Sequence, residues 1–348
     1  MWKMAAWGGA ALIAAPFALI LSQWPLADPR AGPGAGLDFT RAAARPDALP
    51  PAPWRAPDGA TLWLRHYRPA GEDLPLVVML HGSGWHGLQF DALARRVAAA
   101  GLAEVLVPDL RGHGPMSERR GDLDYIGQLE DDLAALIRAH ARPGQRVILL
   151  GHSSGGGLAL RMAGGRHGGL IDGAVLLAPY LGHDAPTARP GSGGWARPLV
   201  RRIIGLLLLD RLGLTALHGL TVVQFRFPGS VLDGPLGDSA TRGYSYRMNV
   251  SYAPRPGLAD VPALPPFLLV AGAEDEAFRA EAYRPTLEAL TGRGRYLLVP
   301  GVGHLGIVDA EPTYRALAGW LQDMARRAAG AGCPPARAGQ ERREERRC

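Results

Sequence analysis

An abrupt change of pattern near the middle of the chain constrains the fold more than any other feature. The apolar run 147–150 is typical of a buried strand, and a helical pattern begins at 158–162. Between them lies Gly151-His152-Ser153-Ser154-Gly155, which has the form G-x-S-x-G. In a tight strand-to-helix turn, neighbouring backbone passes close to the outer positions, and this favours glycine there. The segment therefore predicts a strand, a tight turn with Ser153 at its tip, and a helix.

Apolar strands and helical stretches alternate along most of the chain. The predicted strands are 61–67, 76–80, 104–109, 147–150, 174–178, 267–270 and 296–299. The predicted helices include 90–100, 126–140, the one that begins at 158–162, and 314–326. Such alternation predicts an α/β fold with a mainly parallel sheet that helices cover on both faces. Active sites in such sheets lie at the carboxyl ends of the strands.

Changes of composition divide the chain into parts. The predicted parts are a signal peptide or membrane anchor (1–27), a linker (28–55), an α/β core (56–180 and 265–328), an inserted cap (181–264) and a disordered tail (329–348). Within the insertion, the apolar run 203–209 fits two interpretations, packing inside the cap or lining of an acyl pocket. The sequence leaves both open.

The N-terminal segment has the pattern of an export or anchoring sequence. Residues 4–21 are almost uninterruptedly apolar behind Lys3, and their length approaches the ~20 residues needed to span a bilayer. A signal peptide has a shorter apolar region of about 7–15 residues, and Ala27 supplies only one small residue of a cleavage pattern. An anchor is therefore favoured, with cleavage and a buried N-terminal helix as alternatives. Lys3 favours a cytoplasmic N-terminus, which predicts a catalytic domain outside the cytoplasm, at or released from the membrane surface.

Charge and cysteine content exclude other classes of protein. The formal net charge is +6, and residues 326–348 account for +4 of it, with seven arginines against three glutamates. Because the remaining chain is nearly balanced, no nucleic-acid partner is predicted. Cys333 and Cys348 both lie in the predicted tail, so they indicate no disulfide framework; they either pair in an oxidising compartment or remain free thiols.

The residues after the last two predicted strands supply partners for Ser153. A serine hydroxyl becomes a good nucleophile when an imidazole accepts its proton and a carboxylate orients that imidazole. In a strand-turn-helix architecture of this kind, the acid and then the histidine follow the serine in the chain. The loop after the predicted strand 267–270 carries Asp275, with Glu274 and Glu276 as alternative acids, and the loop after the predicted strand 296–299 carries His304. Ser153, Asp275 and His304 are therefore the candidate catalytic residues.

Two backbone N–H groups are candidates for an oxyanion hole. One belongs to Ser154, which directly follows the candidate nucleophile. The second is expected in the loop after an early strand, where Ser83 lies between Gly82 and Gly84. Glycines on both sides would let a substrate carbonyl approach closely. Ser83 is therefore the preferred second donor.

The remaining histidines are not expected to be catalytic. His81 and His86 precede the candidate nucleophile, and His113 is predicted to shape its loop. No histidine, cysteine or carboxylate cluster has metal-ligand spacing, and no G-x-G-x-x-G opens a helix after the first strand. We therefore predict no cofactor and no metal.

Together these motifs resemble those of the α/β-hydrolase superfamily, specifically its monoacylglycerol lipase and lysophospholipase-like branch. The motifs are His81-Gly-Ser-Gly84, Asp109-Leu-Arg-Gly-His-Gly114, Gly151-His-Ser-Ser-Gly155, Asp275 and Gly303-His304. The resemblance covers about 56–326 and implies an eight-stranded sheet, a helical cap after the sixth strand, and hydrolysis of carboxylic esters of glycerol or lysophospholipids.

The resemblance also implies a role for each site residue. Ser153 would be the nucleophile, Asp275 the acid and His304 the base, while the backbones of Ser83 and Ser154 would donate to the oxyanion. Ser154 stands where that branch often has methionine, which makes the pocket wall more polar. A peptidase or amidase on the same fold, and a binding protein that has lost its chemistry, are the alternative functions.

Overall fold

The computed structural model describes residues 14–32, 36–39, 47–71 and 73–331, with side chains through 327. The strands in this part of the chain are β1 (Ala52–Arg55), β2 (Thr61–Tyr67), β3 (Leu76–Leu80), β4 (Glu104–Asp109), β5 (Val147–His152), β6 (Gly173–Leu177), β7 (Ala196–Pro198), β8 (Thr221–Phe225), β9 (Gly243–Ser245), β10 (Phe267–Gly272) and β11 (Gly294–Val299). Its α-helices are α1 (Asp91–Ala99), α2 (Gln128–His140), α3 (Ser154–Gly164), α4 (Val200–Arg211), α5 (Gly229–Leu232), α6 (Tyr246–Tyr252), α7 (Tyr283–Glu288) and α8 (Glu311–Ala331). Residues 14–21 are also helical.

Eight strands form the main sheet, in the order β1-β2-β4-β3-β5-β6-β10-β11. The pairs β1–β2 and β2–β4 are antiparallel, and the other neighbours are parallel. At the centre, Leu76 of β3 lies opposite Glu104 of β4 and Val147 of β5. The predicted mainly parallel, eight-stranded sheet is confirmed.

Alternate side chains of the central strands enter two separate cores. In β3, Leu76, Val78 and Leu80 belong to one apolar cluster, and Val77 and Met79 belong to the other. This follows from the two-residue period of a strand. Side chains of α2 and α3 complete the first cluster, and side chains of α1 and α8 complete the second. Because both faces are covered, the central strands are continuously apolar.

The element that carries Ser153 is longer than its sequence pattern. The strand predicted at 147–150 continues to His152, and the helix begins at Ser154 rather than Leu158. Glycine is a poor helix former, so the sequence Gly155-Gly-Gly157 does not predict the first turn of this helix. The same glycines let the helix approach the sheet closely. A Cβ atom at Gly155 would lie 2.1 Å from the carbonyl oxygen of Leu80.

The long insertion lies between β6 and β10 and contains a small antiparallel sheet of order β7-β8-β9, which the sequence did not predict. Helix α4, which holds the apolar run 203–209, packs Leu206 and Leu209 against Val222 and Tyr246. The insertion thus has an apolar cluster of its own. Packing inside the cap is the interpretation of this run that the structure supports.

Residues 28–55, predicted as a linker, pack against the rest of the protein wherever the structure describes them. The backbone of Ala31 donates to the carbonyl of Phe227 at 3.0 Å, and β1 extends the main sheet. Just before them, Leu26 exchanges two hydrogen bonds with the side-chain amide of Gln224, at 2.8 and 2.7 Å. Non-local partners of this kind leave no periodic signal in the sequence, which explains the difference from the prediction.

Both ends of the chain carry predictions that fall outside the described residues. This is so for 1–13 of the predicted signal or anchor, and for the predicted tail from 332 onward, which includes Cys333 and Cys348. Of the N-terminal apolar run, the described part packs Ile20 against α4. In the portion of the chain that the structure describes, no helix has both the length and the apolar character needed to cross a bilayer.

The close packing of α3 leads to a stability prediction. Gly155→Ala would place a methyl group 2.1 Å from the Leu80 oxygen and 2.6 Å from the His81 oxygen, so backbone must shift. We expect a loss of at least about 2 kcal/mol in the free energy of unfolding, measured by urea denaturation. Gly169→Ala is the matched control, because its Cβ meets nothing within 4 Å, and its effect should stay within about 0.5 kcal/mol. Equal stability of the two variants would contradict the prediction.

Candidate active site

Ser153 lies at the junction of β5 and α3 in a strained backbone conformation. Its φ is 53° and its ψ is −120°, a region that residues other than glycine rarely adopt. Its N–H donates to the carbonyl of Leu177 at 2.9 Å, while its own carbonyl accepts from Gly157 at 3.1 Å and Tyr180 at 2.8 Å. Three hydrogen bonds from three segments therefore hold the strained residue in place.

Asp275 and His304 form a buried pair at the ends of β10 and β11. The Nδ1 atom of His304 lies 2.9 Å from Oδ2 of Asp275, and both side chains are almost fully buried. The other carboxylate oxygen, Oδ1, accepts from the backbone N–H groups of Ala277 and Phe278, each at 2.8 Å. Because a carboxylate can only accept, the proton between the pair belongs to Nδ1 of His304. This leaves Nε2 as the atom that can accept a proton.

Each member of this pair stabilises the charged form of the other. Burial opposes the charge on His304, but the adjacent Asp275 carboxylate outweighs it, so the pKa of His304 is raised above its ordinary value. Burial likewise opposes the charge on Asp275, and His304 together with two backbone N–H groups keeps the pKa of Asp275 below its ordinary value. The site therefore holds an ionised acid beside an imidazole of increased basicity.

Ser153 and His304 line the same pocket. No hydrogen bond joins the Ser153 hydroxyl to the imidazole among the described residues. Catalytic hydrogen bonds are often long without substrate and shorten when it binds. The structure thus brings Asp275 and His304 into direct contact and places Ser153 beside them.

The two alternative acids make different contacts. The Glu274 carboxylate accepts from the backbone of Val302 at 3.0 Å, and the residue is exposed. The Glu276 carboxylate accepts from the backbone N–H of His304 at 2.8 Å through Oε2, and from the backbone of Asp38 at 3.0 Å through Oε1. Of the three candidate carboxylates, Asp275 is the one that contacts the imidazole.

The loop after β3 contains three consecutive backbone N–H groups, those of Gly82, Ser83 and Gly84. Gly82 donates to the side chain of Gln89 at 3.2 Å, and Gly84 donates to the hydroxyl of Tyr244 at 2.8 Å. Between them, the N–H of Ser83 has no acceptor among the described residues. A Cβ at Gly82 would lie 3.3 Å from that of Ser153, so this loop packs directly on the serine. Of these three amides, that of Ser83 is therefore the one left without an acceptor in the described part of the chain.

The N–H of Ser154 belongs to the first turn of α3. First-turn N–H groups have no acceptor within their own helix. They lie at the positive end of the helix dipole, which favours a negative charge there. Ser154 directly follows Ser153, so its N–H is close to the Ser153 hydroxyl. Both predicted oxyanion donors thus border the serine.

A polar chain that the sequence did not reveal runs through His152. Its Nε2 lies 2.9 Å from the carbonyl oxygen of His304, so Nε2 carries the proton. Its Nδ1 then accepts from the amide nitrogen of Gln89 at 2.6 Å, and the Gln89 oxygen accepts from Gly82. Burial and the neighbouring His304 lower the pKa of His152 to about 3, so it stays neutral. This chain links the oxyanion loop to the loop of the candidate base.

The other histidines in this region make structural contacts, and His113, predicted to shape its loop, is one of them. His81 Nε2 accepts from the backbone of Leu110 at 3.1 Å, and His113 Nε2 lies 2.6 Å from the hydroxyl of Tyr244. His86 Nε2 lies 2.9 Å from the hydroxyl of Ser239. Burial lowers the pKa of His113 to about 4 and, together with the charge of Arg65, that of His86 to about 3.

An apolar cleft leads to Ser153, and its space of about 720 Å³ is partly open to solvent. Its lining combines the site residues with aromatic and aliphatic side chains from the core, the insertion and the N-terminal stretch. The lining residues are Leu37, Phe39, Gly82, Ser83, Trp85, Leu88, Gln89, His152, Ser153, Trp195, His304, Leu305, Val308 and Asp309. None of them belongs to α4, so this helix does not line the cleft as the second interpretation of its apolar run expected. Leu37 and Phe39 had been assigned to a linker, and no sequence pattern marks them as pocket residues.

Comparison with known proteins agrees with this architecture. The family model described as "Alpha/beta hydrolase family" matches residues 77–316. The monoglyceride lipase of Homo sapiens is 30% identical over 153 residues, which cover 43% of this chain and 48% of that protein. The monoacylglycerol lipase of Mycolicibacterium smegmatis is 36% identical over 112 residues, which cover 31% of this chain and 39% of that protein. The matches thus span less than half the length of these curated relatives.

A solved structure extends the likeness of the fold. The monoglyceride lipase of Saccharomyces cerevisiae, solved as a soluble variant with a substrate analogue, superposes with a TM-score of 0.58 at 16% identity. The superposition covers 83% of this chain and 99% of that one. The chain belongs to the alpha/beta hydrolase family, with relatives in its monoacylglycerol lipase-like branch.

Proposed function

We propose that this protein is a serine hydrolase that cleaves carboxylic esters of amphipathic alcohols, such as monoacylglycerols or lysophospholipids. The observation that carries the proposal is the buried Asp275–His304 pair beside the strained Ser153 at the base of an apolar cleft. The names of the lipase relatives support the ester class. No step of the proposed reaction requires a cofactor.

In the first half of the reaction, the Ser153 oxygen attacks the ester carbonyl carbon while His304 Nε2 accepts the hydroxyl proton. The carbonyl oxygen becomes an oxyanion, which the N–H groups of Ser83 and Ser154 stabilise. The intermediate then collapses. The bond to the alcohol oxygen breaks, His304 returns its proton to that oxygen, and the acyl group remains on Ser153.

In the second half, water replaces the alcohol. His304 accepts a proton from the water as its oxygen attacks the acyl carbon, and the same two N–H groups stabilise the second oxyanion. Collapse releases the carboxylic acid and returns the proton to Ser153. Asp275 keeps its charge throughout and stabilises the imidazolium that forms in each half.

Replacing the nucleophile tests the reaction directly. Ser153→Ala should lower kcat for p-nitrophenyl esters by about 10⁴-fold or more, because no other group forms the acyl-enzyme. Labelling by a fluorophosphonate probe should disappear as well. Ser230→Ala, an exposed serine of α5, is the control and should keep both properties.

Three outcomes would redirect the assignment. Full hydrolysis by Ser153→Ala would exclude Ser153 as the nucleophile. A wild-type protein that hydrolyses aminoacyl anilides faster than esters would be an amidase, because the same residues serve both reactions. Absence of any hydrolysis or probe labelling would favour a binding protein on this fold.

Asp275→Asn tests the choice of acid through both rate and pH dependence. His304 must be neutral to accept a proton, and its pKa is raised, so wild-type kcat/KM should fall as pH decreases through a value above about 6.5. In Asp275→Asn, burial remains without the opposing carboxylate, so this pKa falls. The acidic limb should move to lower pH, and kcat should fall by about 10⁴-fold because the imidazole loses its orientation.

Glu274→Gln is the matched control for this variant. Glu274 neighbours Asp275 in sequence, but its carboxylate bonds the backbone of Val302 and not the His304 ring. Its replacement should leave the rate and the acidic limb unchanged. Loss of activity in Glu274→Gln with near-normal activity in Asp275→Asn would show that Asp275 is the wrong choice of acid.

We further propose that the protein works at a membrane surface outside the cytoplasm. Apolar side chains are exposed on two adjacent segments, helix α4 with the residues after it and the N-terminal stretch that packs against this helix. They are Phe17, Leu21, Trp24, Leu26, Val200, Ile204, Leu207, Leu208, Leu212 and Leu214. Exposed apolar area of this kind is typical of proteins that lie in the membrane interface. The apolar run 4–21 behind Lys3 supports the location.

The exposed apolar surface leads to a binding prediction. Ile204→Glu/Leu208→Glu should weaken binding to phosphatidylglycerol-containing vesicles by an order of magnitude or more, because charges replace side chains that bury apolar area there. Hydrolysis of a short soluble ester should not change. Vesicle co-sedimentation measures the first property and a p-nitrophenyl acetate assay the second.

Leu290→Glu is the control, since Leu290 is similarly exposed but lies just after α7, outside the insertion. Equal vesicle binding by wild type and the double variant would contradict the surface. The side of the membrane is tested by adding protease to intact spheroplasts that express the full chain. A catalytic domain that stays soluble and protected would overturn the location.

A further inference from the structure

We propose that residues 36–39, here called the strap, form a specificity-determining wall of the substrate cleft, in which Phe39 limits the size of the group that the cleft accepts. The inference rests on the proposed ester hydrolase activity and names a selectivity element for the same site. Sequence alone assigns these residues to a linker. Their contacts give them a different role.

Phe39 completes an aromatic cluster at the cleft. Its ring centroid lies 5.4 Å from that of Trp195, 5.4 Å from that of Phe227 and 6.3 Å from that of Trp85. These separations fall within the range of favourable aromatic pairs. Trp195 and Phe227 belong to the insertion, and Trp85 follows the oxyanion loop. The strap is thus the third segment that meets at this wall.

The cluster also contacts the reaction machinery. The indole N–H of Trp195 donates to the hydroxyl of Ser83 at 3.1 Å, so the ring that packs on Phe39 is bonded to a candidate oxyanion donor. Leu37 and Phe39 line the same cleft as Ser153 and His304. Space that the Phe39 ring fills beside the reacting serine is space that a substrate cannot occupy.

A carboxylate fixes the strap relative to the candidate base. The backbone N–H of Asp38 donates to Oε1 of Glu276, and the backbone N–H of His304 donates to Oε2 of the same carboxylate. A Cβ at Gly303 would lie 2.8 Å from Oε2, so glycine at this position leaves room for the bridge. One side chain therefore sets the distance between the strap backbone and the His304 loop, which holds Phe39 in register with the site.

The segment before the strap is anchored on the insertion. The guanidinium of Arg30 bonds the carboxylates of Asp28 and Asp233, and Ala31 donates to the carbonyl of Phe227. These contacts attach residues 28–31, which precede the strap, to the part of the insertion that contains Phe227. The N-terminal stretch and the insertion therefore form this wall together.

Phe39→Ala tests the proposal in the full chain. Two ester series are compared by kcat/KM, p-nitrophenyl esters of increasing acyl length and acetates of increasingly bulky alcohols. In one of the two series, the variable group of the substrate lies against Phe39. In that series, kcat/KM for the largest substrate divided by kcat/KM for the smallest should rise by at least about tenfold, since one methylene in an apolar pocket already changes selectivity by this order. Phe39→Trp should lower the same ratio.

Leu290→Ala is the matched control, because Leu290 is an exposed apolar residue that lies outside both the cleft and the proposed membrane-binding surface. Its ratios in both series should equal those of wild type. Unchanged ratios in both series for Phe39→Ala would overturn the proposal, even if its melting temperature fell, because a packing role alone alters stability and not selectivity. A wild type without esterase activity would instead contradict the proposed function, so the two failures are distinguishable.

Discussion

The close approach of α3 to the sheet is the constraint on which the site depends. At Gly151, a Cβ would lie 2.3 Å from the carbonyl oxygen of Gly155, and at Gly155 it would lie 2.1 Å from that of Leu80. Only residues without a Cβ allow β5 to turn into a helix within this space. The turn forces Ser153 to a positive φ, which costs on the order of 1–3 kcal/mol. Tertiary hydrogen bonds to β6 and to Tyr180 offset that cost, so the strain exists only in the folded protein.

Asp275 and Glu276 are adjacent carboxylates just after β10, and their different contacts give them different roles. Asp275 is buried and accepts three hydrogen bonds, one of them from the His304 ring. Glu276, one residue later, is longer and reaches past the ring to the His304 backbone. The first carboxylate sets the basicity of the imidazole, whereas the second sets the position of its loop. Loss of either partner of the buried pair would leave a charge or a polar group unpaired in the interior, which is strongly unfavourable.

Most of the α/β core could be predicted because its signals are local. Three predicted strands, 61–67, 76–80 and 104–109, have the observed bounds, since each apolar or alternating run stops where its pairing stops. The observed bounds of α3 differ from the predicted ones because the glycines at 155–157 allow close tertiary packing but have a low helix propensity. The small sheet of the insertion was missed, as its strands β7 and β9 are three residues long and too short to show a period.

The candidate site residues likewise divide into those that have a local sequence signal and those that do not. Ser153, Asp275 and His304 follow strand ends, where chain order and topology restrict the choice. The assignments of Gln89, His152, Glu276 and Phe39 depend on contacts between segments far apart in sequence. Gln89 contacts His152 across 63 positions, for example, and no periodicity encodes such a pairing. A single sequence can therefore indicate reacting groups while leaving their supports unassigned.

The candidate reacting groups and the walls of the cleft come from different parts of the chain. The reacting groups need fixed positions, and rigid strand ends supply these. The walls must exclude bulk water from the oxyanion while they match one class of substrate, and water exclusion strengthens the N–H contacts to that charge. Here the wall opposite the core combines Trp195 of the insertion with Phe39 of the N-terminal stretch. Neither segment belongs to the main sheet, whose strand ends position Ser153, Asp275 and His304. The proposed walls and the candidate reacting groups thus come from different segments, which meet at Glu276 and at the hydrogen bond from Trp195 to Ser83.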